Sequence, residues 1–301
     1  MIPNRALRLG TRGSRLALAQ ASIASRALAT IGLDVETVAV RTDGDAISER
    51  RPRGGWVEAD GQFTRALEDA LRDGRIDVAV HSYKDLPTAA SDGVVVGAVL
   101  ERADPADCLV TLGGGGLDEL PFGGRVGTSS PRRAAQLAAA RNDLIAMPIR
   151  GNVETRLARL ERGEYDGLVL AAAGLERLGY AIPRAARLPL DLVLPAPAQG
   201  ALALQVRAGD AELRGALARI EHAPTRTAVD TERALLRRIG GGCLAPLGTL
   251  GEVDGERLRL RASYEDRSGG YRRADASGPA DDPELVVGIV ADELMASAAR
   301  A

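Results

Sequence analysis

By its local sequence, the residue best suited to chemistry is Cys243, which follows three glycines and precedes Leu244-Ala245-Pro246. A cysteine is more often buried as a small apolar side chain than used as a reactive thiol. Because a triglycine approach is poorly suited to burial, the sequence favours an open thiol that a bulky group can reach and modify. The second cysteine, Cys108, opens an apolar run and is predicted to be a core residue.

Lys84 and Asp85 form the second candidate, in a polar segment directly after an apolar strand predicted over 76–80. Lys84 is the single lysine among 39 basic residues, which draws attention to its surroundings. An aspartate beside a cation stays ionised, and such a carboxylate can stabilise a developing positive charge or move a proton. A loop ion pair with a helix cap fits the spacing equally well.

Arginines at the predicted ends of strands and helices indicate an anionic ligand. In α/β sheets, ligands bind beyond the carboxyl ends of the strands, where helix N-termini add free N–H groups. Guanidinium groups pair with carboxylates through two parallel hydrogen bonds, so several of them together predict a ligand with several carboxylates. For each arginine taken singly, a solvated surface position is the competing interpretation. The candidates are Arg12, Arg132, Arg133, Arg150, Arg156 and Arg177.

The elements that must position these residues alternate between strand and helix through the first half of the chain, which predicts mainly parallel sheets covered on both faces. Ser14 is predicted to cap a helix that runs to about Ala29, because its hydroxyl can accept a hydrogen bond from the first turn. An apolar run over 202–206 is predicted to return to the first sheet. Four prolines over 183–197 predict an interdomain segment. At the C-terminal end, three strand-like runs and a final helix predict a separate α+β domain.

The composition restricts the classes of protein. The 301 residues carry a net charge of −2, with 45% hydrophobic and 27% charged residues, which is typical of a folded protein and lacks the basic excess of a nucleic-acid binder. Two cysteines are too few for a disulfide framework, and no metal-ligand spacing is present. No secretory signal and no apolar run of membrane-spanning length are found. A cytoplasmic protein without a metal, a membrane or a nucleic-acid partner is expected.

Taken together, these motifs resemble those of the porphobilinogen deaminase family over nearly the whole chain. One motif alone is moderately specific, whereas all of them in the same order are highly specific. The segments that carry the resemblance are Thr11-Arg12-Gly13-Ser14-Arg15-Leu16-Ala17-Leu18, His81-Ser82-Tyr83-Lys84-Asp85-Leu86-Pro87, Gly127-Thr128-Ser129-Ser130-Pro131-Arg132-Arg133, Arg150-Gly151-Asn152-Val153-Glu154-Thr155-Arg156, Ala172-Ala173-Gly174-Leu175-Glu176-Arg177-Leu178-Gly179, Pro197-Ala198-Gln199-Gly200, and Glu232-Arg233 with Gly241-Gly242-Cys243-Leu244-Ala245-Pro246-Leu247-Gly248.

The resemblance implies a transferase that joins four porphobilinogen molecules head to tail with release of ammonia, giving hydroxymethylbilane in tetrapyrrole (heme) biosynthesis. It implies two periplasmic-binding-protein-like (type II) α/β domains and a small C-terminal α+β domain. The implied boundaries are 1–99 with 200–218 for the first domain, 103–195 for the second and 222–301 for the third. A dipyrromethane cofactor, which the enzyme makes from its own substrate, is expected as a thioether on Cys243, and the chain is expected to be a monomer.

The resemblance also assigns roles to single residues. Asp85 is the expected catalytic carboxylate. Besides Cys243, the residues expected to bind the cofactor are Lys84, Ser14, Thr128, Ser129, Ser130, Arg132, Arg133 and Arg156. Those expected to bind substrate are Arg12, Arg150, Arg177, Gln199 and Phe63. Each pyrrole of the growing chain carries an acetate and a propionate, so these assignments agree with the carboxylate chemistry of the arginines.

One segment departs from the family pattern. Between Asp45 and Phe63 the family typically has a mobile loop with a lysine shortly before Gly-Leu-Phe or Gly-Val-Phe, and here Asp60 stands where lysine is common. The 46–62 loop is therefore expected to gate the site differently. Phe63 either stacks on a pyrrole ring or is a core aromatic at the start of a helix.

Two other functions are compatible with the same fold. A non-catalytic binding module, such as a solute receptor or the effector domain of a regulator, is opposed by the missing signal peptide, by the triglycine cysteine and by Lys84-Asp85. An inactive homologue is made conceivable by the altered loop. Two extra pyrrole rings on the purified protein would separate the enzyme from both alternatives.

Overall fold

The computed structural model describes residues 5–41, 64–180, 185–240, 242 and 245–296. The helices of this part of the chain are α1 (Arg15–Ala29), α2 (Arg65–Arg72), α3 (Pro131–Ala140), α4 (Val153–Glu161), α5 (Ala172–Arg177), α6 (Ala211–Leu217), α7 (Ala223–Ile239) and α8 (Pro283–Met295). The strands are β1 (Leu7–Thr11), β2 (Val35–Ala39), β3 (Val78–Ser82), β4 (Val94–Val99), β5 (Asp107–Val110), β6 (Arg125–Gly127), β7 (Ile145–Met147), β8 (Gly167–Ala171), β9 (Ala185–Arg187), β10 (Leu202–Arg207), β11 (Leu247–Asp254), β12 (Arg257–Glu265) and β13 (Tyr271–Pro279).

The first compact unit is built on a five-stranded sheet with the order β2-β1-β3-β10-β4. Strand β1 is parallel to β2 and to β3, whereas β10 is antiparallel to both β3 and β4. The predicted return of the apolar run over 202–206 to the first sheet is therefore confirmed. Since β1 and β3 are parallel, their carboxyl ends lie at one edge of the sheet, where Arg12 and Lys84 follow.

Apolar layers cover both faces of this sheet. On one face Leu28 of α1 packs with Val80 of β3, and on the other Leu71 of α2 packs with Ala79. Successive side chains of β3 thus point to opposite layers, as the period of a strand requires. A sheet buried on both faces leaves its edge as the place where polar side chains can meet a ligand.

The second compact unit contains a sheet with the order β7-β6-β8-β5-β9. Its pairings repeat those of the first sheet, because β6 is parallel to β7 and β8 whereas β5 is antiparallel to β8 and β9. In each sheet the antiparallel strand is the one the chain forms on arriving from the other sheet: β5 follows β4, and β10 follows β9. Two α/β sheets with the same pattern of strand pairing are therefore present, as predicted.

The proline-containing segment is not a linker where the structure describes it. Ala185–Arg187 forms β9, which pairs with β5, and Leu188, Val193 and Leu194 are buried. The prediction of an interdomain segment is therefore wrong for residues 185–197, which belong to the second unit. Prolines interrupt regular hydrogen bonding because they lack an N–H, but they do not prevent a chain from packing in a core.

A three-stranded antiparallel sheet, β11-β12-β13, and helix α8 form the C-terminal α+β part, as predicted. Leu258 and Leu260 of β12 pack with Val286 and Val290 of α8. This sheet belongs to the same compact unit as the second α/β sheet. Among the residues described, no helix is both long enough and apolar enough to cross a lipid bilayer.

Candidate active site

Arg12 and Ser14 lie between β1 and α1. Ser14 is the N-cap of α1, and its Oγ accepts a hydrogen bond from the backbone N–H of Ala17 at 3.2 Å, which confirms the predicted cap. Arg12 is half-buried beside this helix N-terminus. The free N–H groups of the first turn and the guanidinium together place positive charge at this edge of the sheet.

Lys84 and Asp85 lie in a 3₁₀ turn, Tyr83–Asp85, directly after β3. Tyr83 is buried, and its N–H donates to the carbonyl of Ala201 at 3.0 Å, so the turn is anchored at its first residue. Lys84 is half-buried and Asp85 is exposed. Asp85 is thus exposed in a turn just beyond the end of β3, directly after Lys84 in the chain.

Strand β3 covers Val78–Ser82, so it begins and ends two residues later in the chain than the predicted strand over 76–80. Its last residue, Ser82, accepts a hydrogen bond from Nε2 of Gln20 at 2.7 Å. Gln20 belongs to the helix that Ser14 caps, so this bond holds α1 against the strand that carries the 3₁₀ turn. The four candidates of the first unit therefore follow neighbouring strands at one edge.

Thr128, Ser129 and Ser130 connect β6 to α3. Ser130 caps α3, accepting at 3.5 Å from the N–H three residues ahead, and Thr128 Oγ1 accepts from the N–H of Ser130 at 3.2 Å. Ser129 Oγ donates to the carbonyl of Ile149 at 2.7 Å and accepts from its N–H at 2.9 Å. The hydroxyl of Ser129 thereby joins this turn to the segment that leads to Arg150.

Arg132 and Arg133 share one fully buried carboxylate, that of Asp107 at the start of β5. Arg132 Nη2 donates at 2.8 Å, whereas Arg133 donates from Nε at 3.1 Å and from Nη2 at 2.6 Å. The carbonyl of Leu194 accepts one more hydrogen bond from Arg132, and the carbonyl of Val169 accepts one more from Arg133. Burial alone would raise the pKa of the Asp107 carboxyl. The two guanidinium charges and the hydrogen bonds outweigh burial and hold that pKa well below its usual range.

Gln199 belongs to the same cluster. Its Nε2 donates to the carbonyl of Pro105 at 2.7 Å and to Oδ1 of Asp107 at 2.9 Å, and the residue is only 1% exposed. The structure therefore brings Gln199 to the arginine pair through a shared carboxylate. Its role as a substrate ligand stays a prediction.

Glu232 of α7 fastens the neighbouring backbone to the C-terminal part. Its Oε2 accepts from the N–H of Ala198 at 2.6 Å, and its Oε1 accepts from the N–H of Gly251 in β11 at 2.7 Å. Ala198 has a φ of 60°, a left-handed conformation that costs energy for a residue with a Cβ. Hydrogen bonds to a buried carboxylate are strong enough to hold such a backbone. Helix α7 ends at Ile239, just before the triglycine.

Arg156, on α4, is half-buried, and its Nε donates to the carbonyl of Gly151 at 2.8 Å. In the part of the chain that the structure describes, no carboxylate pairs with it. Burial lowers the pKa of its guanidinium to about 10, and the charge of Arg133 contributes to this. Arg150, one residue before Gly151, is exposed. A half-buried guanidinium with a second one nearby, and with no counter-ion, is the arrangement expected where an anion binds.

Arg177 ends α5, and its Nη2 donates to the carbonyl of Gly200 at 2.6 Å. Its Nε is buried and has no acceptor among the described residues. Burial lowers the pKa of this guanidinium, and the charge of Glu176 opposes the shift. Because Gly200 follows Gln199 directly, Arg177 lies next to the segment that contacts Asp107. The nine candidates of the second unit are thus linked by short segments and hydrogen bonds.

Cys243, Phe63 and the 46–62 loop lie outside the described residues, so the expectations for them stay predictions. The described neighbours of Cys243 lie between α7 and β11. There Gly242 has a φ of 58°, and the N–H of Ala245 donates to its carbonyl at 3.2 Å.

Asp107 is the site residue that sequence reasoning misses. It opens the run Asp107-Cys108-Leu109-Val110, in which Cys108 was expected to be core and is 8% exposed. The available signal is a charged residue at the head of an apolar strand, since a carboxylate buried there needs a cationic partner. Which cation supplies it depends on residues far along the chain.

These residues fit a group that carries several carboxylates. Among the described residues, no carboxylate neutralises the guanidinium charge of Arg156, and no acceptor binds the buried Nε–H of Arg177. Within the same described ranges, no three His, Cys, Asp or Glu side chains lie close enough together to hold a metal ion.

Comparison with known proteins gives matches over most of the chain. A family model described as porphobilinogen deaminase, dipyromethane cofactor binding domain, matches residues 7–215, and one described as porphobilinogen deaminase, C-terminal domain, matches residues 226–296. A porphobilinogen deaminase of Desulforudis audaxviator is 48% identical over 290 residues, covering 95% of this chain and 93% of that protein. One of Roseiflexus sp. is 43% identical and covers 97% of each chain.

The solved structures that match this chain in fold include substrate binding domain 2 of GlnP from Lactococcus lactis, in its open conformation. That match has a TM-score of 0.42 and 13% identity, and it covers 78% of this chain and 91% of that one. The family assignment rests on the two family models and on the close relatives, which span nearly the full length of this chain. The chain belongs to the porphobilinogen deaminase family.

Proposed function

We propose that the arginines at the sheet edges of this chain bind the carboxylates of a growing pyrrole chain, and that Asp85 serves its elongation. The chain is a transferase that joins four porphobilinogen molecules head to tail with release of ammonia, giving hydroxymethylbilane. The observation that carries the residue assignment is Arg156, a half-buried guanidinium near Arg133 with no carboxylate partner in the described ranges. The acetate and propionate of each pyrrole would supply the missing counter-charge.

The cofactor of this reaction is a dipyrromethane, which supplies a covalent primer to which the substrate units are added. We propose that Cys243 holds it through a thioether. The residues that would bind its carboxylates are Ser14, Lys84, Thr128, Ser129, Ser130, Arg132, Arg133 and Arg156. Those proposed for incoming substrate are Arg12, Arg150, Arg177, Gln199 and Phe63. A tethered chain reacts at a high effective concentration, which favours each elongation step.

Asp85 has the position expected of a group that acts on the reacting pyrrole. The turn that carries it is anchored by the buried Tyr83, whereas the Asp85 carboxylate itself is exposed. An ionised carboxylate can stabilise positive charge on a pyrrole nitrogen and accept a proton from it. Lys84 directly precedes it in the same 3₁₀ turn.

The proposal is tested by the intact mass of the purified protein and by an aldehyde stain for pyrroles, after incubation with porphobilinogen. We expect the wild-type mass to exceed that of the polypeptide by two pyrrole units. Cys243→Ser should show the bare polypeptide mass and no stain. Cys108→Ala is the matched control, because it removes the other cysteine and should keep both signals. A bare polypeptide mass for wild-type protein that has been supplied with substrate would favour the binding module or the inactive homologue.

We also propose that the enzyme acts as a monomer in the cytoplasm, without a membrane or nucleic-acid partner, and that its domains are 1–99 with 200–218, 103–195 and 222–301. The net charge of −2 supports the absence of a polyanionic partner. Light scattering on the holoenzyme tests the oligomeric state, for which we expect the molar mass of one chain.

A further inference from the structure

The Asp107 carboxylate lies between three side chains that are proposed to bind ligand. It receives hydrogen bonds of 2.6 to 3.1 Å, one from Arg132, two from Arg133 and one from Gln199. Asp107 is 0% exposed, so it does not itself meet a ligand from solvent. Its contacts are with Arg132, Arg133 and Gln199, which are 3%, 8% and 1% exposed.

These bonds fix the planes of both guanidinium groups. Arg133 presents Nε and Nη2 to the two carboxylate oxygens, which is the bidentate arrangement that orients an arginine most firmly. Arg132 is held at two nitrogens, by Asp107 at 2.8 Å and by the carbonyl of Leu194 at 2.6 Å. Each guanidinium has five N–H donors, so both keep donors for a further acceptor.

The charge of Asp107 also makes the arginine pair possible. Two guanidinium groups and one carboxylate leave a net positive charge in the cluster. Burial lowers the pKa of Arg132, and the attraction of Asp107 opposes that shift. A neutral residue at position 107 would leave two buried cations side by side, and an uncompensated buried charge is strongly unfavourable.

We infer that Asp107 is a positioning residue, which holds Arg132 and Arg133 in the orientation in which their remaining N–H groups bind pyrrole carboxylates. Gln199 donates to Oδ1 of Asp107 and so helps to hold that carboxylate in place. This inference rests on the proposed function, because it takes the ligand to be a polycarboxylate. It assigns the preorganisation of the arginine pair to a residue that does not touch the reacting atoms.

Steady-state kinetics of Asp107→Asn test the inference. This variant keeps the shape of the side chain and removes its charge, so the arginines lose their fixed orientation. Because the arginine pair is proposed to hold the cofactor to which porphobilinogen is added, we expect the KM for porphobilinogen to rise about tenfold, the factor that one charge-assisted hydrogen bond is worth. We expect kcat to change less than KM, because carboxylate binding serves ground state and transition state alike. Gln199→Met removes one donor to Asp107 and should give a smaller rise in KM.

A second measurement is independent of turnover. Labelling of arginines by phenylglyoxal, mapped by mass spectrometry on protein without added substrate, reports how firmly each guanidinium is held. We expect Arg132 and Arg133 to react several-fold faster in Asp107→Asn than in wild type. Asp107→Glu keeps the charge and should restore slow labelling in part.

Asp77→Asn is the matched control. Asp77 is also a buried carboxylate that binds arginines, namely Arg5, Arg8 and Arg207, but it directly precedes β3, whereas Lys84 and Asp85 follow that strand. The Asp77→Asn variant should have a lower thermal midpoint of unfolding, with an unchanged KM and unchanged labelling of Arg132 and Arg133.

The inference is overturned if Asp107→Asn leaves KM and labelling unchanged, or if Asp77→Asn changes both to the same extent. Should Asp107→Asn fail to fold, an unchanged KM and unchanged labelling in Gln199→Met would overturn it. Wild-type protein that carries no pyrrole and shows no turnover would instead contradict the proposed function.

Discussion

At the scale of single residues, Asp85 is the sharpest test of the proposed chemistry. Asp85→Glu keeps the charge but moves the carboxylate by one methylene from a turn whose backbone is anchored at Tyr83. We expect turnover to fall by about 10²-fold, a typical contribution of a positioned acid or base. Asp92, an exposed aspartate that follows the same segment, provides the control Asp92→Glu, for which we expect wild-type rates. Near-normal turnover of Asp85→Glu would contradict the role.

His81 supplies a pH-dependent prediction. It lies in β3, is 5% exposed, and its Nε2 has no hydrogen-bond partner among the described residues. Burial lowers its pKa from 6.5 to about 4, and Gln205 opposes the shift. The unfolded chain therefore binds a proton at a higher pH than the native chain. We expect this residue's contribution to stability to fall as the pH drops from 6.5 to about 4, by about 1.4 kcal/mol per pH unit.

NMR titration of the imidazole resonances measures this directly, because the chain has only two histidines. His81→Gln identifies the resonance by its disappearance and removes the corresponding slope from the pH dependence of unfolding. A midpoint for His81 near 6.5 in the native protein would show that the ring is hydrated and that the prediction is wrong.

At the scale of elements, the approach of β11 to α7 depends on a glycine. A Cβ on Gly251 would lie 2.7 Å from the carbonyl oxygen of Ala228, a backbone atom that cannot turn aside. We expect Gly251→Ala to lower the free energy of unfolding by about 1–3 kcal/mol, as overpacking typically does. The N–H of Gly251 also donates to Glu232, which accepts from the N–H of Ala198, so this variant should loosen the segment at Ala198 as well.

Gly288→Ala is the matched control for this prediction. Gly288 is inside helix α8, and a Cβ there meets no atom within 4 Å. Alanine is the better helix former, so this variant should raise stability by about 0.5–1 kcal/mol. Thermal unfolding of the two variants checks the opposite signs. Equal midpoints would show that the strand can shift without cost.

The elements themselves were largely predictable, because their signals are local. The hydroxyl of Ser14 meets an N–H three residues away, and the helix it caps ends at Ala29 as expected. Strand ends were less certain, since β3 runs on to Ser82 and includes the polar His81. Polarity suggested a loop there, but pairing with β10 satisfies the backbone, and the buried ring stays neutral.

At the scale of the whole molecule, the chain runs from the first α/β sheet to the second and later returns. The first strand that it forms after each crossing, β5 and then β10, is antiparallel to its neighbours in the sheet. The apolar run over 202–206 was enough to predict the return to the first sheet. The prolines over 183–197 suggested a linker, yet β9 and the buried Val193 belong to the second unit. Composition indicates where regular structure stops, whereas burial depends on what packs against the segment.

The sequence by itself determined the family, the order of elements and which side chains could serve the chemistry, because motifs, caps and apolar periods are written in neighbouring residues. Only the tertiary structure decided how those side chains are used. Arg132 and Gln199 meet the Asp107 carboxylate from 25 and 92 residues away, and no local pattern links them. A buried charge is stable only where folding brings its partners to it, so its contacts are a property of the fold rather than of any segment.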